Sequence, residues 1–188
     1  KDSINEMIRN LRETTKRNTE QDWLKTNLAR FTRLIQGQRD LLAVSKLILS
    51  ELAPLAAIQH GVFYINDSPD SDPDLRLLAS YAFNSRKHHN SRIRSGETLV
   101  GQAAFEKERI VLTEVPGDYI QVASALGTAA PVNVIVLPVL FENQVKAVIE
   151  LASVSQFTAL QTMFLEQLTA TIGIVLNSIE ATMQTEGL

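Results

Sequence analysis

Cysteine is absent from all 188 residues. That excludes disulfides, thiol nucleophiles, thiolate metal sites and chromophores attached through a thioether, and it fits a reducing compartment. Charge of one sign is lacking too. The 18 basic and 21 acidic residues leave a formal net charge of -3, which gives no reason to expect nucleic acid or an anionic membrane as a partner. No apolar run approaches the ~20 residues that a membrane span needs, and no secretory leader is legible.

Catalytic patterns are missing as well. Gly96 and Gly101 have the outer spacing of a phosphate loop, but Gln102-Ala103 follow where a lysine and a hydroxyl residue are required. Asp70-Ser-Asp-Pro-Asp74 resembles the start of a calcium loop. Leu75 then stands where glycine is needed and Tyr81 where glutamate is, so the segment reads as a solvated turn. His60, His88 and His89 have no cysteine partners and no i,i+4 pairing for a metal. The G-x-S-x-G nucleophile elbow is absent. So are a phosphoacceptor histidine pattern and an ATP-binding glycine box. The sequence therefore predicts a chain that is not itself an enzyme, with no identifiable cofactor, no metal and no catalytic residue.

What is present is the composition of a folded protein, 45% hydrophobic and 21% charged. The length suits one ordinary domain plus an added element. Nine of the 18 basic residues lie in the first 40 positions, against six acidic ones, so the leading segment differs in character from the rest. The chain opens at Lys1 inside a helical pattern, as a piece of a longer protein would. We divide it into residues 1–36, a signalling helix or coiled coil, and 37–188, a globular domain whose closing linker helix starts near 158.

Residues 2–36 contain neither proline nor glycine. Ile4, Ile8 and Leu11, then Leu24, Leu28, Phe31 and Ile35, follow the 4-3 spacing of a coiled-coil seam. The second set is out of phase with the first by one residue, and Thr15, Asn18 and Asp22 interrupt the seam. Such a slip rewinds a coiled coil locally, as suits an element that changes state. The alternative is a solvated helix packed on its own domain. A second helix is predicted over Arg39–Leu55, ending near Pro54. Strands are predicted over His60–Asn66 and Leu75–Phe83, with a polar loop over 84–95. Thr98–Glu108 reads as a short helix, Ile110–Val115 as a strand and Tyr119–Leu126 as another short helix. A hairpin over Asn133–Phe141 and Val145–Ser153 precedes a long helix from Thr158, its cap, to about Thr185. The order describes an antiparallel α+β domain with helices at both ends.

Gly96-x-x-Leu-Val-Gly-Gln-Ala-Ala, Val115-Pro-Gly-Asp-Tyr119, Ser124-Ala-Leu-Gly-x-Ala-x-Pro131, Leu137-Pro-Val-Leu and Val148-Ile-Glu-Leu-Ala-Ser153, in that order, resemble a GAF domain. The likeness runs from about Ile4 to Ile179. It is most similar to GAF domains that follow a HAMP linker in bacterial hybrid sensor histidine kinases, where a motif like Gln21-Asp-Trp-Leu-Lys25 leads into the domain. The resemblance implies a six-stranded antiparallel sheet with a ligand cavity and short helices on one face. Long terminal helices, often a homodimer interface, lie on the other. It implies a cytoplasmic regulatory domain of a two-component phosphorelay protein anchored in the bacterial inner membrane, with no membrane insertion by this chain. The cysteine of the bilin-binding and methionine-sulfoxide-reducing relatives is missing. The Asn-Lys-Phe-Asp-Glu set of cyclic-nucleotide binders is also not present in order.

Strand alternation supplies a candidate anchor. Val145, Ala147, Ile149 and Leu151 share one apolar face, and Lys146, Val148, Glu150 and Ala152 the other. Glu150 is thereby directed under the short helices, where a lone carboxylate costs several kcal/mol unless paired. Its partner could be Lys146, Arg92, Arg94, a backbone amide or the amine of a ligand. Tyr81, Phe105 and Tyr119 fit a pocket wall and serve equally well as core residues, whereas Trp23 fits the helix junction. The candidate ligand contacts are thus Tyr81, Arg92, Phe105, Tyr119, Ser124 and Glu150. The expected function is small-ligand sensing relayed through dimeric helices. A ligand-free dimerisation and transmission module is the alternative.

Overall fold

The computed structural model describes residues 1–81, 91–115, 122–124, 127–129 and 133–186. Two helices come first, α1 (Asp2–Ile35) and α2 (Leu41–Leu55), the second capped by the Asp40 carboxylate, which accepts from the Leu42 amide. Strands β1 (His60–Asn66), β2 (Asp74–Tyr81) and β3 (Arg92–Arg94) follow, then α3 (Thr98–Glu106) and β4 (Ile110–Thr113). β5 (Val122–Ser124) and β6 (Gly127–Ala129) pair with each other. The long hairpin β7 (Asn133–Phe141) and β8 (Gln144–Ser153) leads into α4 (Ala159–Glu186). The main sheet is six-stranded and antiparallel, in the order β3-β2-β1-β8-β7-β4. This is the predicted α+β architecture.

The sheet separates two apolar layers. On one face α1, α2 and α4 bury Phe31, Ile48, Leu52 and Phe164 against Phe63, Ile135, Ile149 and Leu151. On the other, α3 lays Val100, Ala103 and Ala104 over Val62, Tyr64, Val136 and Val148. Fully burying aliphatic side chains stabilises by about 1.5–3 kcal/mol each, so every strand is fixed in register by which residues it must hide. The start of α4 is held by a reciprocal cap: the Gln161 amide donates to the Thr158 hydroxyl, and the Thr158 amide to the Gln161 side chain. α4 is long and apolar enough to cross a membrane by length and composition. Its stripe from Phe164 through Leu168, Ile172 and Leu176 to Ile179 is buried, as in a core helix.

Gly173 sets how closely α4 approaches the hairpin. A Cβ at this position would run into the carbonyl oxygen of Leu140 on β7. Gly173→Ala would gain about 1 kcal/mol of helix propensity but force α4 off the sheet at a cost of about 1–3 kcal/mol. A net loss of stability is expected in thermal denaturation. A variant at least as stable as the parent would show that the contact relaxes freely.

Two β-bulges change which side chains face which layer. Between β1 and β2, Phe63 pairs with Ala79 and Tyr64 with Leu77, leaving Leu78 as the extra residue. Between β7 and β8, Val139 pairs with Ala147 and Leu140 with Val145, so Lys146 is the extra residue. The predicted alternation holds from Ala147 to Ser153 and fails before it. Val145 joins the α3 layer, and Lys146 turns to the helical layer, where its Nζ lies 3.1 Å from Glu180 of α4. Lys146 is therefore not on the face of Glu150.

Other expectations change in detail. The predicted short helix over Tyr119–Leu126 gives way to strand β5 at its described residues. Val122 and Thr128 are β-branched, and the Ser124–Gly127 pairing offers cross-strand bonds that one isolated helical turn lacks. β3 falls inside the stretch read as a loop, since Arg92-Ile-Arg94 is too short for alternation to be legible.

α1 is 34 residues long, and its halves differ. Trp23, Leu24, Leu28, Phe31 and Ile35 dock on the helical core. Residues 1–19 are all exposed, Ile4, Met7 and Leu11 each at 62%.

Candidate functional site

Glu150 sits at the centre of the α3 layer. Its cross-strand neighbours are Val62 on β1 and Val136 on β7, and Val148 and Ala152 flank it along β8, all four buried. His60 and Tyr64, two residues either side of Val62, share that face and lie diagonal to the carboxyl. Glu150 is half-buried. Burial pushes its carboxyl up from 4.5 to about 7, because apolar surroundings disfavour the charged form. The Tyr64 hydroxyl is pushed up to about 12, first by burial and then by the Glu150 charge. Among the described residues no side chain gives Glu150 an ion pair or hydrogen bond.

The other candidates are distributed differently. Tyr81 packs with the helical core, opposite Gly61, because the bulge at Leu78 turns the end of β2 over; it does not share the face of Glu150. Phe105 is 69% exposed. Gly101 explains this: a Cβ there would meet the Arg94 carbonyl oxygen, so α3 rests on its Gly101–Ala104 side and points Phe105 to solvent. Arg92 lies outside the layer as well. Ile93 takes the inward position on β3, and Arg92 reaches Asp74 at 2.8 Å and Asp67 at 3.4 Å at the surface. For Ser124 the structure describes the strand β5 but not the side chain, and Tyr119 lies outside the described residues. Trp23 stands edge-on to Phe164 with ring centroids 5.3 Å apart, at the helix junction.

Residues that sequence reasoning missed are Tyr64 and His60. Both lie in a segment correctly read as a strand, but the register of β1 against β8 is what brings them to Glu150. Alternation alone says only that they share a face with each other.

Behind Glu150, the same strand touches the closing helix. The Lys146 side chain is 6% exposed and that of Glu180 25%. Lys146→Met keeps the buried stem and leaves Glu180 without its cation. A loss of about 1–3 kcal/mol is expected in urea titration, below that of a fully buried pair because Glu180 still reaches water. An unchanged midpoint would mean that the pair contributes nothing net.

The fold is thus a six-stranded antiparallel sheet with a mostly apolar face under a short helix, one carboxyl in that face, and long helices behind. The GAF domain family model matches residues 38–177, and the chain belongs to that family, whose members are in general ligand-binding regulatory domains. Solved structures agree on the fold. The GAF domain of a phosphoenolpyruvate-protein phosphotransferase from Coxiella burnetii superposes with a TM-score of 0.67 at 16% identity, covering 88% of this chain and 97% of that one. The A. Aeolicus nlh2 GAF domain, in an inactive state, gives 0.63 at 16% identity, covering 83% and 97%. Free methionine-R-sulfoxide reductase from Neisseria meningitidis, in complex with its substrate, gives 0.64 at 17% identity, covering 82% and 89%. Comparison with curated protein sequences finds no match.

Proposed function

We propose that this GAF domain is the signal-sensing and relay domain of a two-component sensor histidine kinase. A small ligand would bind between the sheet and the α3 layer, and α1 and α4 of a homodimer would pass the change onward. The observation that carries this reading is Glu150, a half-buried carboxyl in an apolar layer with no ion-pair or hydrogen-bond partner among the described residues. The same strand, four residues earlier, grips α4 through Lys146. The domain itself would catalyse nothing. A reductase like the sulfoxide-reducing neighbours is disfavoured, since this chain has no cysteine to carry the electrons. The parent protein would be anchored in a bacterial inner membrane with this domain in the cytoplasm. A ligand can shift the kinase only by as much as its affinity differs between the two helix packings.

The test is a thermal-shift and calorimetry screen of metabolites on the purified domain. A compound that raises the melting temperature and releases heat on binding supports sensing. No response at saturating concentration of any compound removes its support.

A second reading, a ligand-free dimerising spacer, is favoured by the apolar stripe of Ile4, Ile8 and Leu11, exposed without reference to any cavity. It predicts that Glu150→Ala leaves signalling intact while charged substitutions at the exposed Ile4, Ile8 or Leu11 abolish dimerisation.

A further inference from the structure

We propose that the ligand of this domain carries a primary ammonium group, seated on the Glu150 carboxylate in the α3 layer. The inference rests on the sensing reading above and narrows it to a class of molecule.

The argument is one of charge placement. The described part of the layer offers Val62, Val136, Val148 and Ala104 as apolar walls, Tyr64 as a hydroxyl and Glu150 as a carboxyl. Among the described residues, each lysine and arginine that could have neutralised Glu150 is directed elsewhere. Lys146 is turned by the bulge to Glu180. Arg92 is engaged by Asp67 and Asp74, and Arg94 lies on its side of β3, away from Ile93. Arg76 is held by Asp67 at 3.0 Å, Arg109 by Glu166 at 2.7 Å, and the Lys107 ammonium donates to the Asn143 carbonyl at 2.7 Å. The layer thus holds a carboxyl whose counter-ion, once it ionises, is not among these groups. An anionic ligand would meet like-charge repulsion as Glu150 ionises, and a neutral one would draw nothing from that charge. A primary ammonium supplies both the charge and three donors, enough for the carboxylate and the Tyr64 hydroxyl together.

Proton linkage follows. Burial holds the Glu150 proton on up to about pH 7, so ammonium binding must expel it, and affinity should rise from about pH 6 to about pH 8. Among the described residues, the titratable groups facing Glu150 are His60 and Tyr64 of β1. β4 and β7 contribute none, and Glu97 and Glu106 of α3 are tied to the Arg94 amide and to Gln102.

The test uses isoamylamine, putrescine, isoamyl alcohol and isovalerate, titrated against the methyl signals of Val62, Val136 and Val148. The expected result is isoamylamine binding at least tenfold tighter than the alcohol of the same skeleton, and tightening as pH rises. Glu150→Gln should weaken the amine at least tenfold and abolish the pH dependence while leaving the alcohol's effect. The comparison of amine with isovalerate on the unaltered domain stands even if the variant misfolds. Alcohol or isovalerate binding as well as the amine would overturn the ammonium assignment and leave the sensing reading in place. An amine affinity unchanged by Glu150→Gln would overturn it too. If none of the four probes moves those methyls, the ammonium assignment is overturned, while the metabolite screen still decides the sensing reading.

Discussion

Replacing Phe164 by alanine is expected to cost about 3–5 kcal/mol, the loss typical of truncating a buried aromatic. The ring is fully buried and meets two others edge-on, Trp23 at 5.3 Å and Phe31 at 5.5 Å. Each such pair adds about 0.5–1.5 kcal/mol beyond its buried area. For a domain of this length the melting temperature should fall by roughly 10 °C. Position matters as much as size here, because Trp23 and Phe31 belong to α1 and Phe164 to α4. The variant should loosen the docking of the first helix before the sheet melts. Trp23 is the sole tryptophan, so its fluorescence reports the event directly. A red-shifted emission below the global transition is the expected signature. Emission and stability both unchanged would mean that the aromatic cluster is dispensable.

Glu150 should make the domain lose stability as pH rises. In the unfolded chain its carboxyl ionises near 4.5, and in the fold near 7. Between those values the folded state holds more protons than the unfolded one, so the slope of stability with pH is negative. The contribution is fully present below about pH 4.5 and lost as pH climbs through about 7, amounting to about 3 kcal/mol across the window. Urea titrations at about pH 5 and about pH 8 measure it, with Glu150→Gln as the control that should flatten the curve and be the more stable protein at the higher pH. Identical slopes in parent and variant would place the carboxyl in water.

The long elements were legible because each carries a periodic burial signal over many residues. α2 shows a broad apolar face, and α4 combines a stripe with Thr158 as its cap. The face of Glu150 was legible for the same reason: alternation is regular from Ala147 onward. What failed were positions beside the bulges. One extra residue on a strand, fixed by how that strand pairs with its neighbour, leaves no mark in a one-dimensional pattern. Lys146 and Tyr81 were therefore assigned to the wrong layer. Phe105 was missed differently: on the nine-residue α3, the face is chosen by where a glycine lets the helix approach backbone, at Gly101.

The free half of α1 has a consequence of its own. Residues 1–19 are all exposed and gain little from packing on the domain, and a polar helix of that length is marginal in water alone. In the homodimer proposed above, their helicity would be governed by mass action. Dilution should then unwind them while the sheet stays intact, and the amino-terminal segment would act as a gauge of how many copies of the chain are near one another.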